Sequence, residues 1–122
     1  VEEYAPLFDA AGPGLIQECQ SVGGCKTGES RVTDGYDLPA HKVIHTVGPR
    51  WAERYMTAAE NALCHSYRSC LEQVVELKLK SVVFGCIHLR AKGYPREEAA
   101  HVALRTIRRF LEKYGDDITD VA

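Results

Sequence analysis

The sequence lacks the usual marks of secreted, membrane-spanning and zinc-binding chains. Its five cysteines form no C-x-x-C pair, which argues against a common zinc motif. No apolar run approaches the roughly 18 to 20 residues that span a bilayer. The first residues, Val1-Glu2-Glu3, lack the basic start of a signal peptide. We therefore expect an intracellular protein, cytoplasmic or nuclear, with free thiols.

An excess of positive charge is also missing. Fifteen Lys and Arg stand against seventeen Asp and Glu, a net charge of −2 with His counted as neutral. No overall positive field attracts nucleic acid, so any such role must use a local patch. The 45% hydrophobic and 26% charged residues are average for globular proteins. Length and composition together predict a single domain over residues 1–122.

Proline and glycine divide the rest of the chain into elements. Pro13 fits the first turn of a short helix over 15–20, which the glycines at 23 and 24 end. Residues 41–47 are typical of a strand. Apolar positions then recur every three or four residues from 57 to 79, which predicts a long helix with Thr57 and Glu60 as its capping box.

The last part of the chain predicts a parallel strand followed by another helix. Residues 82–87 are too uniformly apolar for a half-solvated strand, so we expect both faces to be covered. The helical period returns over 96–114, and Gly115 ends it. A β-prone segment begins at 118–122. Strands alternating with amphipathic helices indicate an α/β/α sandwich.

In open α/β sheets, ligands bind beyond the carboxyl ends of the strands, here after residue 87. The loop there contains a glycine and two cations and leads into a helix whose first amides are free, which is the plan of a phosphate site. Its alternative is a plain crossover turn in which Gly93 adopts a positive φ. The candidate ligand-binding residues are His88, Leu89, Arg90, Ala91, Lys92, Gly93 and Tyr94.

Other reactive residues have a simpler structural explanation. His41 and His45 lie four apart on one strand face, but neither they nor the nearby cysteines have zinc-site spacing. Cys86 lies at the end of the strand, and its two interpretations are a nucleophile and a small core residue. The basic residues Arg105, Arg108 and Arg109 form either an RNA-binding surface or a solvated helix face. We predict no catalytic residue, no metal ion and no cofactor.

Several sequence motifs occur in the order that they have in the macro domain family, and through these motifs the chain resembles that family. The resemblance covers nearly the whole chain. The resemblance implies a three-layer α/β/α fold around a mixed, mostly parallel sheet, which we expect to be incomplete at both ends of these 122 residues. The motifs are AGPGL at 11–15, GCKTGE at 24–29, TDGYDLP at 33–39, VIHTVGP at 43–49, GYP at 93–95 and AAHVALRTIRRF at 99–110.

The resemblance also implies binding of ADP-ribose or its removal from proteins. The family's Asn-Ala-Ala-Asn segment and first phosphate loop have no counterpart here. In the second loop, Arg90 replaces a glycine and Lys92 replaces an aromatic residue. We therefore expect a divergent module that binds ADP-ribose or another nucleotide or phosphate weakly, without hydrolysis. The alternatives are an active ADP-ribosyl hydrolase and a module for RNA such as poly(A).

Overall fold

A computed structural model of the chain describes residues 5–85, 87 and 93–122. Four α-helices and four strands alternate in the order expected of an α/β protein, and a 3-10 helix over Glu53–Tyr55 precedes the third helix. The elements are α1 (Ala5–Ala11), α2 (Pro13–Val22), β1 (Ser30–Asp34), β2 (Lys42–Thr46), α3 (Met56–Glu76), β3 (Ser81–Val82), α4 (Arg96–Tyr114) and β4 (Asp120–Val121).

α1 was not predicted from the sequence; the other three helices agree with the predicted ones and differ from them at their ends. The predicted capping box at Thr57 is wrong: α3 begins one residue earlier, and Tyr55 at its N-cap makes no side-chain cap hydrogen bond. The 3-10 helix continues directly into α3 at Met56, so Thr57 already lies inside the helix. Gly115 follows α4 as predicted, but its φ of −62° is right-handed, unlike the usual glycine cap.

β1 and β2 form an antiparallel hairpin. Ser30 pairs with Thr46 at one end of the ladder and Asp34 pairs with Lys42 at the other. His41 lies just before β2, so the predicted strand over 41–47 is one residue too long at each end. Ile44 packs toward α3 and α4, whereas His45 faces Cys19 of α2. Since neighbouring strand residues point to opposite faces, helices cover both faces of this hairpin.

β3 and β4 form a separate, parallel ladder, as the apolar run over 82–87 predicted. Ser81 pairs with Asp120 and Val82 with Val121, and the Phe84 amide extends the ladder by donating to the Ala122 carbonyl. The prediction that both faces are covered is wrong at Val83, which is 82% exposed. Val82 and Phe84 pack onto the helices, so Val83 points the other way, where no described element covers it.

The core lies between the two ladders and the helix pair α3 and α4. Among the residues described, one apolar cluster joins the amino-terminal half of each helix to Ile87 and Tyr94. A second cluster joins the carboxyl-terminal halves to Ile44, Val82 and Ile118. The helical layers on both faces confirm the expected α/β/α arrangement. The described strands form two ladders of two, one antiparallel and one parallel.

Candidate functional site

The chain that leaves β2 comes close to the chain that leaves β3, and a glycine makes the approach possible. Gly48 lies two residues after β2, and Ile87 lies five residues after β3. A Cβ atom on Gly48 would lie 2.7 Å from the Ile87 carbonyl oxygen and 3.0 Å from its Cγ2. Both residues are buried. The segments that follow β2 and β3 therefore approach each other on the side at which open α/β sheets bind ligands.

An aromatic pair lies at the same edge. Trp51 follows β2 by a few residues, Tyr94 precedes α4, and their ring centroids are 4.8 Å apart at an interplanar angle of 54°. Tyr94 is 5% exposed and packs with Ile87 in the first core cluster. The pair therefore fixes the start of α4 against the chain that leaves β2. Desolvation by burial, followed by the charges of Glu60 and Glu98, raises the pKa of the Tyr94 hydroxyl.

The predicted ligand-binding loop is described only at its end. Gly93 has a φ of 72°, the positive value that the loop was predicted to need at this glycine. Tyr94 has its ring in the core. The ligand role of both residues stays a prediction. The other candidates in this region, Cys86, His88, Leu89, Arg90, Ala91 and Lys92, lie outside the described residues.

The basic residues of α4 are spread among carboxylates. Arg105 donates to Glu60 of α3 at 2.6 Å, and Arg108 donates to Glu112 one helical turn away at 3.2 Å. Arg109 is exposed and forms no ion pair with any residue that the structure describes. These pairs favour the solvated-face interpretation of the helix. The RNA alternative stays a prediction.

His45 belongs to a small polar cluster between the hairpin and α2. Its Nε2 lies 2.8 Å from Thr33 Oγ1 and 3.8 Å from Cys19 Sγ. Burial lowers the pKa of His45, against a smaller opposing effect of Glu18. Burial, and then Glu18, raises the pKa of the Cys19 thiol, which disfavours a reactive thiolate. Nowhere in the described ranges do three or more His, Cys, Asp or Glu come together as metal ligands.

Two surface clefts are open to solvent. The larger, of about 380 Å³, is a hollow in the β1–β2 turn over residues 34–41, at the hairpin end away from Gly48. The smaller, of about 160 Å³, lies beside the Trp51–Tyr94 pair. Sequence analysis did not identify it, although four lining residues share one face of α4. Its lining residues are Trp51, Met56, Glu60, Tyr94, Glu98, His101, Val102 and Arg105.

None of the described helices is both long and apolar enough to cross a bilayer. The described cysteines Cys19, Cys25, Cys64 and Cys70 are free thiols. Cys70 is buried in α3, and its burial raises the pKa of its thiol to about 11. Burial also raises the pKa of the Cys19 and Cys25 thiols, so these three thiols stay protonated at neutral pH.

Comparison with known proteins places the fold and the motifs in one family. The family model described as the macro domain matches residues 5–103. The protein GDAP2 homolog of Nematostella vectensis is 52% identical over 114 residues, which cover 93% of this chain and 23% of that protein. Ganglioside-induced differentiation-associated protein 2 of Mus musculus is 47% identical over 115 residues, covering 94% and 23%. The chain thus spans about a quarter of the length of these curated relatives.

Solved structures agree with these sequence relatives. The crystal structure of the ganglioside-induced differentiation-associated protein 2 macro domain superposes with a TM-score of 0.93 at 46% identity, covering 95% of this chain and 58% of that one. The Trypanosoma brucei macrodomain in complex with ADP-ribose gives a TM-score of 0.87 at 37% identity, covering 96% and 48%. The family resemblance seen in the motifs is confirmed, including its similarity to the ganglioside-induced differentiation-associated protein 2 branch.

Proposed function

Since this chain belongs to the macro domain family, we propose that it is a binding module for ADP-ribose or a closely related nucleotide. The observation that carries the proposal is the close approach of Gly48, after β2, to Ile87, in the segment after β3. This edge is where open α/β sheets receive nucleotides. The solved relative that contains ADP-ribose supports the same ligand class.

The ligand phosphates would lie against the residues between Ile87 and α4. These residues include Gly93, which has a positive φ, and Tyr94, which packs against Trp51. A turn that leads into a helix offers free backbone amides to an anion. Arg90 and Lys92 would add counter-charge. They stand where the family has a glycine and an aromatic residue, so we propose weak binding and no hydrolysis.

Calorimetry with ADP-ribose, AMP and inorganic phosphate tests the binding proposal. We expect ADP-ribose to bind most tightly of the three, with a Kd of about 0.1 to 1 mM. Lys92→Ala should weaken binding about two- to fivefold, the usual range for an exposed charge contact. The matched control is Lys113→Ala, because Lys113 lies in the last turn of α4, away from the residues after Ile87.

Two results would contradict the proposal. Equal and negligible heats for all three ligands would exclude an anion site in this chain. Equal weakening by Lys92→Ala and Lys113→Ala would indicate general charge attraction in place of a located site. Release of ADP-ribose from an ADP-ribosylated protein substrate is a separate measurement. A release rate above the protein-free control would show that the non-hydrolytic part of the proposal is wrong.

A further inference from the structure

The smaller cleft combines an aromatic floor with carboxylates at its rim. Trp51 and Tyr94 form the aromatic pair, Glu60 comes from α3, and Glu98 comes from the first turn of α4. Its volume of about 160 Å³ is close to that of a cavity that holds one benzene. It can therefore accept one side chain, but it is too small for a nucleotide, whose sites are about 300 Å³ or larger.

Among the residues that the structure describes, one carboxylate at the cleft has no cation. Arg105 is held by Glu60 at 2.6 Å. Glu98 forms no ion pair with the described part of the chain. No described cation lies over the ring of Trp51 or Tyr94. With His101 counted as neutral, the described lining residues carry two carboxylates and one cation, an excess of one negative charge.

The hydroxyl of Tyr94 is a second, independent feature. The residue is 5% exposed, yet its hydroxyl makes no hydrogen bond to any residue that the structure describes. Tyr94 lines the cleft together with Glu60, Glu98 and Arg105. The cleft is open to solvent, so a ligand group there can hydrogen-bond to this hydroxyl in place of water.

We propose that this cleft binds an arginine side chain of a polypeptide partner, with its guanidinium stacked on Trp51 and hydrogen-bonded to Glu98 and the Tyr94 hydroxyl. Arginine fits better than lysine because its planar guanidinium both stacks on aromatic rings and binds carboxylates in a fixed geometry. The bound guanidinium would pair with Glu98 and donate a hydrogen bond to the Tyr94 hydroxyl, neither of which has such a partner among the described residues. The proposal does not depend on ADP-ribose binding.

The indole N–H resonance of Trp51 reports on the cleft, because the chain has one tryptophan. The probe is a blocked pentapeptide with a central arginine, titrated into the full chain, and its control carries neutral citrulline. We expect a saturable indole shift with the arginine peptide and at least about fivefold weaker binding of the citrulline peptide. Because the probe contains no phosphate, failure here is distinguishable from failure of the ADP-ribose proposal.

Matched variants locate the contact. Glu98→Gln should weaken the arginine peptide about two- to fivefold, and Tyr94→Phe should weaken it while leaving thermal stability unchanged or higher. Glu97→Gln removes the same charge from the same helical turn but does not line the cleft, so it should leave binding unchanged. The proposal is overturned by no saturable shift, equal binding of citrulline, equal effects at Glu97 and Glu98, or unchanged binding by Tyr94→Phe.

Discussion

Replacing Gly48 with alanine should separate the strand ends that form the candidate site. The added Cβ would lie 2.7 Å from the Ile87 carbonyl oxygen, a distance that real Cβ atoms essentially never show. The neighbour is backbone, so a side-chain rotation cannot relieve the contact. Overpacking in a rigid interior costs about 1 to 3 kcal/mol. For a chain of this length that corresponds to a loss of about 3 to 15 °C in Tm.

Gly24→Ala is the matched control, because a Cβ there meets nothing within 4 Å. It should be neutral or stabilise the protein by up to about 1 kcal/mol, since alanine restricts the unfolded chain. Urea unfolding followed by Trp51 fluorescence measures both variants, with an unchanged slope showing that the denatured state is the same. A Gly48→Ala variant as stable as the wild type would refute the close approach of β2 and Ile87.

The double variant Gly48→Ala with Ile87→Ala tests which atom causes the conflict. Ile87→Ala removes the Cγ2 contact at 3.0 Å but leaves the carbonyl contact at 2.7 Å. We therefore expect little recovery of stability beyond additivity. A coupling energy above about 1 kcal/mol in favour of the double variant would show that the Ile87 side chain, and not its backbone, limits position 48.

Two further substitutions test the core and the polar cluster. Leu63→Ala should lower the free energy of unfolding by about 2 to 5 kcal/mol in the same urea assay, because this α3 side chain is fully buried in the first core cluster. Leu104 is 69% exposed, so its control variant Leu104→Ala should stay within about 0.5 kcal/mol of the wild type. Because burial lowers the pKa of His45, the unfolded chain takes up a proton first as the pH falls below 6.5, so the free energy of unfolding should decrease on acidification. His45→Gln should make the free energy of unfolding depend less steeply on pH than the control His41→Gln, whose histidine is exposed. Equally steep pH profiles in the two variants would show that His45 is not the titrating group.

Local patterns were sufficient to predict most of the elements. The bounds of α4 agree with the helical period over 96–114, and α2 begins at Pro13 and ends before Gly23. The apolar run predicted a parallel strand, which the structure forms over Ser81–Val82 only, and the β-prone segment at 118–122 supplies its partner β4. Local rules failed at Thr57, where the preceding 3-10 helix starts α3, and at Val83, whose burial depends on a neighbouring layer.

The sequence by itself determined the order of the elements, the family and the edge of the sheet at which a ligand is expected, because periodicity, turn residues and motif order are local properties of the chain. Only the tertiary structure decided which distant residues meet. Gly48 approaches Ile87, Trp51 stacks on Tyr94, and Glu60 pairs with Arg105 across 45 positions of the chain. These contacts depend on how α3, α4 and the strand ends pack together, and helical or strand period alone carries no information about that distance.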